Sequence, residues 1–292
     1  MTVELARNGD IEIAYEVEGP PDGEPLLLIM GLGLQLVFWP DAFRARLVER
    51  GFRVARFDNR DVGLSTHLTG LGLPSVPAIL LRSWRGYRIA DMAADAVAVL
   101  DALKWPSAHL VGVSLGGMIA QTVAGLFPAR VRTLTSISST PAAKIGRPRP
   151  RALRALAAGD PGGREASVQR VVDVFRVIGS PAYPLDERWL RDAAARSYDR
   201  FHDPDGIRRQ LAAITTSGDR RPLLRQLRMP ALVVHGEADP LIRPAGGRAT
   251  AAAIPGAELV TYPGMGHDLP GALQQPIADR IAAVARQWSP VR

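Results

Sequence analysis

Short apolar runs alternate with amphipathic stretches along most of the chain. Runs that are apolar throughout predict strands buried on both faces of a sheet, whereas apolar residues spaced three and four apart predict helices. One predicted strand, residues 25–30, is apolar throughout, and the further predicted strands comprise residues 52–58, 108–111 and 131–137, with two more beginning at 231 and 257. The predicted helices comprise residues 41–50, 89–103, 117–124, 246–253 and 273–288.

Strands that alternate with helices are typical of a mostly parallel sheet covered by helices on both faces. The chain begins differently, because two short predicted strands, 3–6 and 11–16, flank the sequence Asn8-Gly9-Asp10. Asn-Gly favours the positive backbone torsions of a tight hairpin turn. We therefore predict an α/β protein whose sheet starts with an antiparallel hairpin.

The pattern changes between residues 141 and 225, where no convincing apolar strand is found. Helical stretches at 169–178 and 187–198 are broken by Pro181, Pro184 and Pro204. This segment is interpreted as a helical cap inserted into the sheet domain. The predicted organisation is a core in two parts, residues 1–140 and 226–292, with the cap at 141–225 between them.

The composition is that of an ordinary globular protein. The 292 residues are 47% hydrophobic and 22% charged, which is enough for one large domain with an insertion. There is no cysteine, so disulfides and cysteine-ligated metals are excluded. The N-terminus lacks the pattern of a signal peptide, and the longest apolar stretch is too short to span a bilayer, so we expect a cytoplasmic protein that does not bind a membrane.

The chain carries a formal net charge of +7. A basic field attracts nucleic acid, anionic lipid or acidic substrates. Here the excess is arginine scattered through Ala-, Pro- and Gly-rich sequence, without a basic helix stripe or a nucleic-acid motif. We therefore predict a small-molecule substrate and no nucleic-acid partner. The sequence leaves open whether the protein is a monomer or a homodimer.

The sequence Gly112-Val113-Ser114-Leu115-Gly116 lies between a predicted strand and a predicted helix. In this setting GxSxG predicts a nucleophile elbow, since the glycines permit a sharp turn that presents the serine hydroxyl at the helix N-terminus. A tight turn with no catalytic role is the alternative. The segments that follow favour the elbow, because they supply an acid and then a histidine in the order that such a serine requires.

The candidate histidine is His267, which ends the Gly-rich loop 263–267 after the last predicted strand. The preferred acid is Asp239, because Asp-Pro ends a strand where a loop is able to direct the carboxylate across the sheet edge. Glu237 and Asp268 are its rivals. In the predicted mechanism Ser114 attacks a carbonyl, His267 transfers the proton, and the acid orients the imidazole.

Two backbone amides are predicted to stabilise the negative charge of a tetrahedral intermediate. One is the amide of Leu115, directly after the nucleophile. The other is assigned to Leu32 in the sequence Met30-Gly31-Leu32-Gly33, where Met30 occupies the place of the histidine in the more familiar His-Gly-x-Gly. A simple glycine-containing turn is the alternative for this loop.

Over nearly its full length the chain resembles the α/β-hydrolase fold. The resemblance is carried by Met30-Gly31-Leu32-Gly33 and by residues 57–66, 112–117 and 263–267. Within that fold it looks most like bacterial esterases of the aclacinomycin methylesterase group. The resemblance implies an eight-stranded type of sheet with an inserted helical cap, and a serine hydrolase that cleaves a carboxylic ester, in the named case a methyl ester on a polycyclic aromatic polyketide.

Several apolar residues are placed near the catalytic serine by these motifs, and they favour an apolar or aromatic acyl group. The predicted substrate contacts are Met30, Gly31, Phe38, Trp39 and Met118, to which the cap adds Phe175, Tyr183 and Trp189. Packing of the cap onto the core is the alternative role for the cap residues.

No metal or organic cofactor is predicted. Asp58, Arg60 and Asp61 form the most polar cluster outside the candidate triad, but no further ligand completes a metal set. Ion pairs and caps that fix a loop explain the cluster better. The same triad also supports lactone hydrolysis, carbon-carbon bond hydrolysis and perhydrolysis, and the scaffold is also compatible with a non-catalytic ligand-binding protein.

Overall fold

Residues 2–81 and 83–289 are described by a computed structural model of the protein. Their eight strands belong to one sheet. The strands are β1 (Glu4–Asn8), β2 (Ile11–Glu18), β3 (Glu24–Ile29), β4 (Phe52–Phe57), β5 (Ala108–Val113), β6 (Val131–Ile137), β7 (Ala231–Gly236) and β8 (Glu258–Tyr262). All the strands predicted from the apolar runs are present.

The strand order is β1-β2-β4-β3-β5-β6-β7-β8. The first two strands form the predicted antiparallel hairpin, and β2 also runs antiparallel to β4. Every other pairing is parallel. Strand β3 pairs with β4 on one side and β5 on the other, in the middle of the sheet. This confirms the mostly parallel sheet. The carboxyl ends of the parallel strands consequently share one edge, where the loops after β3, β5, β7 and β8 meet.

The helices are α1 (Asp41–Glu49), α2 (Val76–Leu80), α3 (Ile89–Ala102), α4 (Leu115–Leu126), α5 (Pro150–Ala157), α6 (Arg164–Ile178), α7 (Glu187–Arg200), α8 (Pro204–Thr216), α9 (Arg221–Leu224), α10 (Ala245–Ala253) and α11 (Gly271–Ala285). Helix α4 begins at Leu115, two residues before its predicted start. Three short 3-10 turns complete the described structure, and one of them, Leu36–Phe38, follows β3.

Strand β3 is apolar from Pro25 to Ile29, and the packing of its side chains shows why. Leu27 and Ile29 pack into the cluster formed with α3 and α4 on one face of the sheet. Leu26 and Leu28 pack on the other face with α1 and α11. Complete burial of each such side chain stabilises the fold by about 1.5–3 kcal/mol. Because helices cover both faces here, the residues of β3 after Glu24 are all apolar.

Five helices, α5 to α9, lie between β6 and β7, and the described residues of this segment form no strand. Pro204 separates two of them as predicted, but it does so as the first residue of α8, a position at which proline's missing N–H leaves no helical hydrogen bond unmade. Helix α9 already packs with the sheet domain, since Leu224 belongs to the cluster of α3 and α4. The division at residues 140 and 225 stays a prediction.

None of the helices in the described part of the chain is long and apolar enough to cross a membrane.

Candidate active site

Ser114 occupies a strained turn between β5 and α4. Its backbone has φ +56° and ψ −118°, a conformation that costs about 1–3 kcal/mol for a residue with a side chain. The flanking glycines permit the close packing of this turn. A Cβ atom on Gly116 would lie 1.9 Å from the carbonyl oxygen of Ile29, and one on Gly112 would lie 2.1 Å from the carbonyl oxygen of Gly116. The turn leaves Ser114 half-buried at the N-terminus of α4.

Ser114, His267 and Asp239 form a continuous chain of hydrogen bonds across the sheet edge. His267 Nε2 lies 3.0 Å from Ser114 Oγ, and His267 Nδ1 lies 2.7 Å from Asp239 Oδ2. A carboxylate only accepts, so Nδ1 carries the proton and Nε2 is free to accept the hydroxyl proton of the serine. His267 and Asp239 are both buried, and this arrangement is able to activate a serine nucleophile.

Of the three candidate acids, Asp239 is the one that contacts the histidine. Its other oxygen, Oδ1, accepts hydrogen bonds from the backbone amides of Leu241 and Ile242 at 2.8 and 2.9 Å, which fixes the direction of the carboxylate. Glu237 is exposed and accepts a hydrogen bond from Thr261. Asp268 accepts one from the hydroxyl of Ser180, and burial raises the pKa of its carboxyl group.

A second histidine, His235 on β7, lies behind the acid. Its Nε2 donates to the carbonyl oxygen of Ile242 at 2.7 Å and lies 3.6 Å from Asp239 Oδ2. Burial lowers the pKa of His235, so the ring is neutral and its one N–H is directed at the turn that holds the acid. His235 lies in the strand that was predicted to begin at residue 231, and its contact with the acid was not predicted.

The loop after β3 passes directly over the serine. A Cβ atom on Gly31 would lie 3.3 Å from Ser114 Cβ, so a larger residue here would be in tight contact with the serine. Leu115 supplies the first N–H of α4, which has no intrahelical partner. Among the described residues, no hydrogen-bond acceptor is found for the Leu32 amide. Leu32 and Leu115 are therefore both free to donate to a bound ligand.

Polar side chains fix the same loop on both sides of Leu32. Asn59 Nδ2 donates to the carbonyl oxygen of Met30 at 3.0 Å, and Gln210 Oε1 accepts from the Gly33 amide at 2.9 Å. Sequence reasoning missed both residues. Asn59 belongs to the stretch 57–66 that carried the resemblance, whereas nothing in its own sequence context marked Gln210.

The histidine loop is fixed by residues that follow α6. The His267 amide donates to the carbonyl oxygen of Ile178 at 2.7 Å, and the Gly266 amide donates to Ser180 Oγ at 2.8 Å. The backbones are in close contact, because a Cβ atom on Gly266 would lie 2.2 Å from the carbonyl oxygen of Gly179. Helices between β6 and β7 thus support both the histidine loop and the loop of Leu32.

The predicted substrate contacts are mostly buried. Gly31 lies against Ser114, as described above. Met30, Phe38, Trp39 and Met118 are each no more than 5% exposed. Trp39 stacks on Phe43 of α1 with ring centroids 5.7 Å apart. From the segment between β6 and β7, the residues Phe175, Tyr183 and Trp189 are partly buried against the cluster that contains Met30 and Phe38. Contact with substrate stays a prediction for all of them.

The charged residues after β4 form ion pairs or accept hydrogen bonds from backbone amides. Arg60 binds the carboxylate of Asp95 through two nitrogens, at 2.6 and 2.7 Å. Asp58 accepts from the amides of Leu36 and Leu64 and from Arg200 of α7. Burial raises the pKa of Asp58, although the Arg200 guanidinium opposes that effect.

One group of ligand atoms has the spacing of a metal site. Asp61, His67 and Asp203 each offer an atom within 4.8 Å of the others. However, the Arg209 guanidinium contacts both carboxylates at 2.9 Å, so each of them already has a cationic partner. The cluster is therefore explained as an ion-pair network that joins α8 to the loop after β4, and we assign no metal to it.

Comparison with known proteins agrees with this geometry. A sequence model described as the alpha/beta hydrolase fold matches residues 24–270. Rhodomycin D methylesterase DnrP from Streptomyces peucetius is 31% identical over an alignment 312 positions long, which covers 98% of this chain and 99% of that protein. Rhodomycin D methylesterase DauP from Streptomyces sp. (strain C5) is 30% identical, with the same coverage.

The crystal structure of a hydrolase from Pseudomonas aeruginosa PA01 superposes with a TM-score of 0.73 at 25% identity, over 97% of each chain. The sequence match includes β3, the elbow and the histidine loop. The chain thus belongs to the alpha/beta hydrolase fold family.

Proposed function

We propose that the protein is a carboxylic ester hydrolase in which Ser114 is the nucleophile, His267 the general base and acid, and Asp239 the orienting acid. The observation that carries the proposal is the hydrogen-bond chain from Ser114 Oγ through the imidazole to the Asp239 carboxylate. Two relatives that match nearly the whole chain are methylesterases by name. They support an ester as the substrate.

The acylation step follows from this geometry. As Ser114 Oγ attacks the ester carbonyl carbon, its proton passes to His267 Nε2, and the carbonyl oxygen becomes an oxyanion. The amides of Leu32 and Leu115 donate to that oxygen. When the intermediate collapses, the bond to the alkoxy oxygen breaks and the imidazolium protonates the leaving alcohol. The products of this step are a free alcohol and an acyl group on Ser114.

Water completes the cycle by the same route. His267 Nε2 accepts a proton from a water molecule, whose oxygen attacks the acyl carbon, and the proton then returns to Ser114 Oγ as the acid leaves. Asp239 stabilises the imidazolium in both steps, and its two backbone hydrogen bonds keep it in place. The net reaction is ester plus water to carboxylic acid plus alcohol.

The segment 141–225 is proposed as a cap that closes the site, since it contacts both the Leu32 loop and the His267 loop. The substrate class proposed is a methyl ester with an apolar or polycyclic aromatic acyl part. Met30, Gly31, Phe38, Trp39 and Met118 are its proposed contacts. They offer an apolar surface without charge, which favours such an acyl part over a charged one.

Hydrolysis of a panel of methyl, alkyl and aryl esters tests the function. Wild type is expected to turn over esters, and Ser114→Ala is expected to lose about four to six orders of magnitude in kcat, because triad residues act as a unit. Ser167→Ala, on an exposed face of α6, is the matched control and is expected to retain full activity. Wild-type rates in Ser114→Ala would contradict the mechanism. Turnover of lactones or carbon-carbon bonds in place of esters would overturn the substrate class.

A further inference from the structure

Gln210 is a completely buried polar side chain that joins three parts of the molecule. It belongs to α8, and none of its surface is exposed. Its Oε1 accepts from the Gly33 amide at 2.9 Å, and its Nε2 donates to the carbonyl oxygen of Arg60 at 2.8 Å. The two loops that it contacts follow the neighbouring parallel strands β3 and β4.

The chemistry of these two bonds requires a primary amide or an equivalent group. A backbone N–H only donates and a carbonyl oxygen only accepts, so the side chain must offer an acceptor at one position and a donor at the other. Glutamine does this while neutral, in one orientation. An apolar side chain of the same length leaves the half-buried Gly33 amide without this partner.

The bond to Gly33 acts on the turn that contains Leu32. The Leu34 amide donates to the carbonyl oxygen of Gly31 at 3.3 Å, and Gly33 has φ +68°, the positive torsion that the third position of a type II turn requires. Asn59 fixes the start of this turn through Met30, and Gln210 fixes its third residue. The Leu32 amide lies between these two fixed points.

Helix α8 has other attachments to the same region, so the position of the helix does not depend on Gln210. The backbone of Gly206 approaches Asp61 so closely that a Cβ atom would lie 2.0 Å from the carbonyl oxygen of Asp61. Arg209 pairs with Asp61 and Asp203, each at 2.9 Å. The specific contribution of Gln210 is therefore its pair of bonds to the two loops.

We propose that Gln210 is a positioning residue that directs the Leu32 amide at the oxyanion of the transition state and so makes catalysis depend on the docked position of α8. The inference rests on the proposed function. The oxyanion forms only during the reaction. A change in the orientation of the amide that donates to it therefore lowers kcat more than it raises KM.

Gln210→Met tests the proposal by kinetics with the best ester of the panel. We expect kcat to fall by about 10- to 100-fold, somewhat less than the roughly 10²- to 10³-fold loss from complete removal of an oxyanion donor, with KM within about threefold of wild type. The matched control is Ser217→Ala at the end of α8, which removes a bond of the same type, from the Ile89 amide, away from the site. It is expected to retain wild-type kcat.

A tetrahedral boronic acid inhibitor separates transition-state stabilisation from general disorder of the site. It places an oxygen where the oxyanion forms, so Gln210→Met is expected to weaken its affinity by about the factor lost in kcat. Unchanged boronate affinity together with wild-type kcat would overturn the proposal. A loss of kcat that Ser217→Ala reproduces would also overturn it, because the effect would then belong to the helix as a whole.

Gln210→Glu provides a second test if Gln210→Met fails to fold. A protonated carboxyl group is able to accept from Gly33 and donate to Arg60, whereas an ionised one lacks the donor. The ratio of mutant to wild-type kcat is expected to rise as pH falls. A ratio that is constant with pH would overturn the proposal. Ester turnover that survives in Ser114→Ala would instead refute the proposed function, and the inference with it.

Discussion

At the scale of single residues, the candidate site consists of a proposed nucleophile and the neighbouring residues that fix the orientation of the side chains around it. The contact between Ser114 and His267 was predictable because a GxSxG between strand and helix is followed, in the required order, by an acid and by a histidine in a Gly-rich loop after the last strand. Asn59, His235 and Gln210 were not predictable as supports. Their roles depend on contacts with residues far away in the sequence, such as Met30 or Gly33.

One prediction at this scale concerns a histidine outside the site. His109 on β5 is buried against Phe52 and Trp288, and its Nδ1 lies 2.9 Å from Thr133 Oγ1. Burial lowers its pKa to about 4, and the Arg132 charge acts in the same direction. Glu24 lies 3.9 Å from Nε2, but its side chain is mostly exposed and compensates little.

The lowered pKa of His109 determines the direction in which pH changes the stability of the protein. Below pH 6.5 the unfolded chain protonates His109, while the folded protein does so only near pH 4, so acidification favours unfolding. We expect this group to remove about 3 kcal/mol from the free energy of unfolding between pH 6.5 and 4. Urea unfolding of His109→Gln at several pH values should show a shallower loss of stability. Parallel curves for the variant and wild type would contradict this account.

At the scale of elements, the position of the nucleophile elbow depends on how closely it packs against the neighbouring strand. The apolar pattern was sufficient to predict all eight strands and the helices that cover them. It did not predict α5, α8 or α9 individually, since proline-rich segments of mixed polarity give no clear period. The long-range contacts of α8 with two loops were beyond any local pattern.

The prediction at this scale is that Gly116 cannot accept a side chain. Its Cβ would lie 1.9 Å from a backbone oxygen of β3, so β3 or α4 must shift. We expect Gly116→Ala to lower the free energy of unfolding by more than about 3 kcal/mol, or to prevent folding. Gly271→Ala at the start of α11, where nothing lies within 4 Å, is the control and should change stability by less than about 1 kcal/mol. Equal effects in urea unfolding would refute the steric argument.

At the scale of the whole molecule, one sheet edge collects the serine, the acid and the histidine from three distant parts of the chain. The strand order brings the ends of β5, β7 and β8 to that edge, beside the loop after β3. The class of fold was predictable from the alternation of strands and helices. The docking of the helices between β6 and β7 onto the two loops was not predictable, because it depends on packing between segments that follow different sequence patterns.

The most direct measurement for the central claim is mass spectrometry of the intact protein after reaction with a serine-directed fluorophosphonate, followed by peptide mapping. Ser114 Oγ is expected to displace fluoride and form one phosphonyl adduct per chain, since the hydrogen-bond chain to His267 and Asp239 activates it. Ser114→Ala should form none. An adduct on a different residue, or equal labelling of Ser114→Ala, would contradict the assignment of Ser114 as the nucleophile.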